Sequence, residues 1–148
     1  LLEKSIQKFK QIKGSGISFN LSCSEVIVVE VDPLESDLVL YNLFKNSLEA
    51  CKNESAPLIS ITVEESEQEA VIQIRDNGPE ISEDLVNSIF IPKVSQKTDG
   101  LGLGLSICKA LAESQGGCLS AIRNAEGHLV MKLCLLKADS VKEIGENQ

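Results

Sequence analysis

Leu58-Ile59-Ser60-Ile61-Thr62-Val63, the acidic run Glu64-Glu65-Ser66-Glu67, and Ala70-Val71-Ile72-Gln73-Ile74-Arg75 follow one another with only Gln68 and Glu69 to spare. Two runs rich in β-branched residues, joined by a charged turn, read as adjacent strands with a solvated hairpin tip. Outward from this pair the helical signals lie between strand pairs, not after each single strand. Upstream, Asp32-Pro33 is a helix start, with Asp32 able to cap free N–H groups and Pro33 suited to the first turn. That helix runs to about Cys51, with Leu34, Leu38, Tyr41, Phe44, Leu48 and Cys51 as candidates for its buried face. Ile17 to Leu21 and Val26 to Val31 read as a short hairpin, after an amphipathic helix with Leu2, Ile6, Phe9 and Ile12 on one face that Gly14 and Gly16 end.

Downstream, a short helix is expected around Ser82–Ile89, then an unpatterned stretch from Phe90 to Asp99. A helix from Leu105 to about Ser114 stops at Gly116-Gly117. Strands near Cys118–Arg123 and Leu129–Leu136, turning at Glu126-Gly127, close the domain. The order implies a two-layer α/β (α+β) sandwich, a mixed, mostly antiparallel sheet packed on three helices. Residues 1–137 form one domain in this reading, and 138–148 a polar tail or linker.

Composition narrows the function. The 148 residues carry a formal net charge of −8, which disfavours nucleic acid and anionic lipid as partners. No apolar run approaches the roughly 20 residues that span a bilayer. Cys23, Cys51, Cys108, Cys118 and Cys134 are spread singly and His128 is the one histidine, a poor basis for a zinc site. The cysteines are expected as reduced, buried thiols of a cytoplasmic protein.

Four local features carry chemistry. Asn42 and Asn46 lie four residues apart in a helix, on one face, although asparagine is a mediocre helix former. An amide oxygen there can complete the shell of a magnesium ion already held by phosphates and water. Asp76-Asn77-Gly78 follows a strand, where a carboxylate can accept from an exocyclic amine and a glycine admits a flat base; the triplet is equally an ordinary turn. Gly100, Gly102 and Gly104 open a helix, exposing backbone N–H groups at its positive end. No Lys-Ser/Thr follows the last glycine, so this is not a P-loop. Lys93 and Lys97 lie in the polar stretch between.

In combination, NLFKNSLEA (42–50), DNGPE (76–80), FIPKVSQK (90–97) and GLGLGLS (100–106) resemble the asparagine, first glycine, phenylalanine and second glycine boxes of the histidine-kinase catalytic domain. That domain belongs to the superfamily shared with type II topoisomerases, heat-shock chaperones and mismatch-repair ATPases. The resemblance implies an ATP-binding sandwich with a lid loop between Phe90 and Gly100. It implies Asn46 as magnesium ligand, Asp76 as adenine-binding carboxylate, Gly78 beside the base, Phe90 anchoring the lid and Lys97 near the phosphates. Gly100, Gly102 and Gly104, with Leu101 and Leu103 between them, are implied at the phosphate side. Two residues depart from the pattern: Glu80 replaces a usual glycine, its negative charge either weakening ATP binding near the pocket or turned to solvent, and Leu101 stands where a small hydroxyl residue is common.

The resemblance also bears on the reaction. ATP-hydrolysing relatives carry a glutamate four residues before the metal-binding asparagine, and here that position is Asn42, which cannot take a proton at neutral pH. The expected reaction is therefore phosphoryl transfer from ATP to a histidine on a separate helical dimerisation domain, with a response regulator further downstream. His128 lacks the setting of an acceptor, so the chain is expected to be a monomeric catalytic fragment of a longer sensor kinase, cytoplasmic and making no membrane contact of its own. A related serine kinase of a regulatory protein, and a degenerate nucleotide-binding interaction module, are the alternatives.

Overall fold

The structure, a computed structural model, describes residues 1–14, 16–92 and 104–138. Its elements are α1 (Leu2–Lys13), β1 (Ser18–Cys23), α2 (Pro33–Cys51), β2 (Leu58–Glu65), β3 (Glu69–Asp76), α3 (Glu83–Asn87), α4 (Leu105–Ser114), β4 (Cys118–Arg123) and β5 (Leu129–Leu136). The strands form one sheet in the order β1-β2-β3-β5-β4. β1 and β2 are parallel, and the other three pairings are antiparallel. A parallel pair needs a crossover, and α2 supplies it between β1 and β2.

Period-two alternation decides which side of the sheet is covered. Ala70, Ile72 and Ile74 of β3 and Met131, Leu133 and Leu135 of β5 are buried, while Val71, Gln73 and Arg75 face the other way. Against the buried side lie Phe9 of α1, Leu40, Leu43 and Phe44 of α2, and Cys108 and Ala112 of α4. Phe9 packs edge-on against Phe19, Tyr41 and Phe44, with ring centroids 5.5–6.0 Å apart. Such T-shaped pairs add about 0.5–1.5 kcal/mol each beyond their area burial.

α2 starts as the sequence predicts: Asp32 accepts from Leu34 N–H (2.9 Å) and Glu35 N–H (3.0 Å), with Pro33 in the first turn. Gln115, just past α4, accepts from the Asp32 N–H at 2.7 Å and donates to Glu35 at 3.1 Å. The end of one helix is thereby tied to the start of another. Gly116 (φ +79°) makes the turn into β4, a left-handed conformation that glycine adopts without strain.

Four expectations need correction. Val26–Val31 does not pair with β1. It runs beside the end of β5, where Val29 bridges Lys137, Glu30 N–H donates to Leu136 (3.0 Å) and Ala138 N–H to Val28 (3.1 Å). Ser22-Cys23-Ser24-Glu25 offers no glycine or asparagine for a tight hairpin turn, so the chain travels on to another partner. On α2, Leu34 is 82% and Leu38 40% exposed, while Val39, Leu40 and Leu43 are buried, because α1, α4 and the sheet enclose a different arc of the helix. Ile12, expected on the buried face of α1, is exposed in its last turn. Only Cys51 and Cys108 of the five free thiols are buried; Cys23 and Cys118 are exposed and Cys134 is half-buried.

Candidate nucleotide-binding site

A cavity of about 240 Å³ opens where the C-terminal half of α2 meets the end of β3. Asn46, Ser47 and Ala50 of α2 form one wall. Ile74, Leu129 and Met131 of the sheet form the floor, and Asp76 brings the one carboxylate into this mostly apolar surround. Pro79, Ile81 and Ile89 border it from the segment after β3, and Leu105 from the start of α4. A larger, mostly apolar cavity of about 420 Å³ lies between the start of α1 and the far end of the sheet, remote from these residues.

Asp76 is half-buried, and burial pushes its carboxyl pKa up from the ordinary 3.8. Hydrogen bonds from the Gly78 N–H (2.9 Å) and from Ser47, and the nearby His128, act in the opposite direction. A carboxylate kept partly out of water but oriented by donors suits acceptance of a hydrogen bond from a ligand amine. Its other side faces a cleft on the open face of the sheet, lined by Ser60, Arg75, Asn77, Glu126 and His128.

The remaining predicted residues divide. Asn46 is exposed and on the cavity wall. Asn42, one turn earlier on the same side of α2, is 2% exposed, donates from Nδ2 to the Leu38 carbonyl at 2.7 Å, and does not line the cavity. The helix passes from core to cavity between them, which spacing alone cannot reveal. Gly78 is buried, and a Cβ there would stand 2.5 Å from the Ala50 carbonyl oxygen. Its smallness lets the turn after β3 close on α2. Asn77 clamps that turn to the start of β2, accepting from Leu58 N–H (2.9 Å) and donating to Ala56 (2.9 Å).

Phe90 is packed against the core with the Lys109 ammonium 5.0 Å from its ring centroid, a cation–π pair that fixes it to α4. Gly104 occupies the N-cap position of α4 and is exposed. Lys93, Lys97, Gly100, Leu101, Gly102 and Leu103 lie outside the described residues. Glu80 lies over the Gly127 turn near Arg123, and is not among the residues lining the cavity. Ser47, which supports Asp76, could not be found from sequence, since a serine inside a helix carries no signal of its own.

The apolar slot with one oriented carboxylate fits a purine base, and Asn46 beside the first turn of α4 fits phosphates leaving it. Among the described residues no group of three His, Cys, Asp or Glu side chains could hold a metal ion. A magnesium ion fits only as one already coordinated by phosphates and water, with Asn46 as a protein ligand.

The model of the histidine kinase-, DNA gyrase B- and HSP90-like ATPase family matches residues 31–139. The chain belongs to that family. It is similar to the signal transduction histidine-protein kinase AfsQ2 of Streptomyces coelicolor, 35% identical over 121 aligned positions, with 78% of this chain and 22% of that protein covered. The catalytic domain of histidine kinase ThkA superposes with a TM-score of 0.74 at 31% identity, covering 92% of each chain. ThkA in complex with response regulator protein TrrA gives a TM-score of 0.71 at 28% identity, covering 93% of this chain and 40% of the other. The chain is thus an ATP-binding domain of the histidine-kinase type, and it spans 13–27% of the length of the curated relatives it matches. Among the described residues no helix is long and apolar enough to cross a membrane.

Proposed function

We propose that this domain binds ATP with magnesium and donates the γ-phosphoryl group to a histidine on a separate helical dimerisation domain, from which a response regulator is served. It works on the cytoplasmic side, where ATP is supplied. The observation that carries the reading is the half-buried Asp76 carboxylate in an apolar cavity whose wall presents Asn46. Asp76 accepts from the adenine amine, and Ile74 and Met131 pack on the base. The phosphates run toward Asn46, Gly104 and the first turn of α4, and Lys97, Gly100 and Gly102, outside the described residues, are proposed as further phosphate contacts. A magnesium ion held with help from Asn46 would neutralise phosphate charge there.

Transfer is favoured over hydrolysis because Asn42 has no proton-accepting function at neutral pH; it is buried and not among the described residues that line the cavity. The domain positions the phosphates, and the acceptor imidazole comes from its partner. Glu80 counted toward a silent interaction module, but its place over the Gly127 turn keeps it off the cavity wall. Titration with a fluorescent ATP analogue, with and without magnesium, tests the reading. Magnesium-dependent binding, and acid-labile phosphorylation of an added helical partner, are the expected results. No binding would leave an interaction module, and an acid-stable phosphoryl product would point to a serine kinase.

A further inference from the structure

We propose that Cys118 and Cys134 form a reversible redox pair that closes to a disulfide when the domain meets a peroxide. Cys118 and Cys134 are directly opposed on the antiparallel strands β4 and β5. The class of this pair follows from the turn that joins them. Asn124 N–H donates to the His128 carbonyl at 2.9 Å, so those two opposed residues form a hydrogen-bonded pair. Pair types alternate along an antiparallel ladder, and Cys118–Cys134 lies six positions further, an even step. It too is a hydrogen-bonded pair, with Cα atoms about 5.5 Å apart, within the span a disulfide bridges; its side chains start wider apart than in a non-hydrogen-bonded pair, but the Cys118 side chain already meets the Cys134 thiol as a hydrogen-bond partner.

Both side chains point to the same face, opposite the one on which the described helices α1, α2 and α4 pack. Their neighbours Leu119, Leu133 and Leu135 are buried against the helices, whereas Cys118 is exposed and Cys134 half-buried. The other cysteines cannot compete within the molecule. Cys51 and Cys108 are buried on the helix side, and Cys23 ends β1, the opposite edge strand of the sheet. The Cys134 thiol is pushed up to about 12 by burial, with the Cys118 side chain and Glu69 adding to the effect. Cys118 is therefore the first to react. Its sulfur attacks the peroxide O–O bond, giving a sulfenic acid and one water. The Cys134 sulfur then attacks the sulfenic sulfur; the S–S bond forms, and the departing hydroxide takes the Cys134 proton as a second water. Two thiols are oxidised, one peroxide is reduced, and a dithiol reverses the step. The bond would fasten the edge strand β4 where it leaves the turn after α4.

The domain is treated with hydrogen peroxide, its remaining thiols are alkylated, and its peptides are mapped by mass spectrometry without reduction. The expected result is a Cys118–Cys134 cross-linked peptide that dithiothreitol removes, formed equally in Cys23→Ser and absent in Cys118→Ser. Cys118→Ser alters an exposed position, and an unchanged melting curve verifies that it folds. Cys118 recovered as sulfinic acid or in an intermolecular dimer, with Cys134 still alkylated, would overturn the proposal.

Discussion

The Gly78 N–H donates to Asp76 Oδ1 at 2.9 Å, so the turn that follows β3 orients the side chain that ends it. Buried carboxylates are costly when ionised, and this one is held by its own loop and by Ser47 from α2. The site is therefore prepared by the fold, at an expense to stability.

That expense is measurable. A carboxyl whose pKa is raised on folding binds its proton more tightly in the native state, so stability falls as pH rises between the unfolded and folded values. At neutral pH the ionised Asp76 opposes folding. Asp76→Asn is expected to raise the thermal midpoint of the nucleotide-free domain by ~2–4 °C, while weakening ATP-analogue affinity about 10- to 100-fold. In the wild type, affinity should begin to decline on acidification at a pH above the ordinary carboxyl value of 3.8. Calorimetry and binding titrations across pH test both; a destabilised but fully binding variant would contradict the assignment.

Asn42 and Asn46 should separate cleanly under mutation. Asn46→Ala, on an exposed position, is expected to change stability by no more than about 0.5 kcal/mol and to abolish the magnesium dependence of nucleotide binding. Asn42→Ala removes a buried hydrogen bond and should cost about 1–3 kcal/mol in urea unfolding. Equal stability losses in the two variants would show that α2 does not divide them as described.

Gly78→Ala places a methyl group against the Ala50 carbonyl, 2.5 Å from its oxygen. The turn must withdraw from α2, at a cost of about 1–3 kcal/mol, and Asp76 loses its alignment. Denaturant midpoint and nucleotide affinity should fall together. A variant as stable as the wild type would exclude this packing role.

Lys8 donates to Asp37 at 2.7 Å and Ser5 donates to the same carboxylate, joining α1 to α2. These hydrogen bonds lower the Asp37 pKa, so the stability they supply is present above the ordinary value of 3.8 and lost as pH falls through the lower folded value. Asp37→Asn should destabilise by about 0.5–1 kcal/mol at pH 6, and by less at a pH below the ordinary carboxyl value of 3.8. Urea titrations at the two pH values give the comparison, and an undiminished difference at low pH would speak against the linkage.

Much of this was legible in sequence because its signals are local. The Asp32-Pro33 cap, the acidic tip between β2 and β3, and the Gly116-Gly117 stop each depend on neighbours a few residues away. Asn46 stands out as an asparagine inside a helix, whereas Asp76, in what is equally an ordinary turn, is singled out only by the resemblance that the four boxes carry together. What failed was long-range. Val26–Val31 has strand character, but its partner lies near Lys137. Leu34 and Leu38 satisfy helical periodicity, yet which arc of α2 is covered depends on where α1 and α4 dock. The place of Glu80 depends on the Gly127 turn, far along the chain.

The parallel pairing of β1 with β2 carries a kinetic consequence. Both hairpins, β2–β3 and β4–β5, can close locally and quickly, whereas β1 finds its neighbour only after α2 has formed and docked across the gap between them. Phe19 and Leu21, at the outer edge, should therefore acquire amide protection later than Ile61 and Ile72 in pulse-labelled refolding. The strand nearest the start of the chain is then the last to join the sheet.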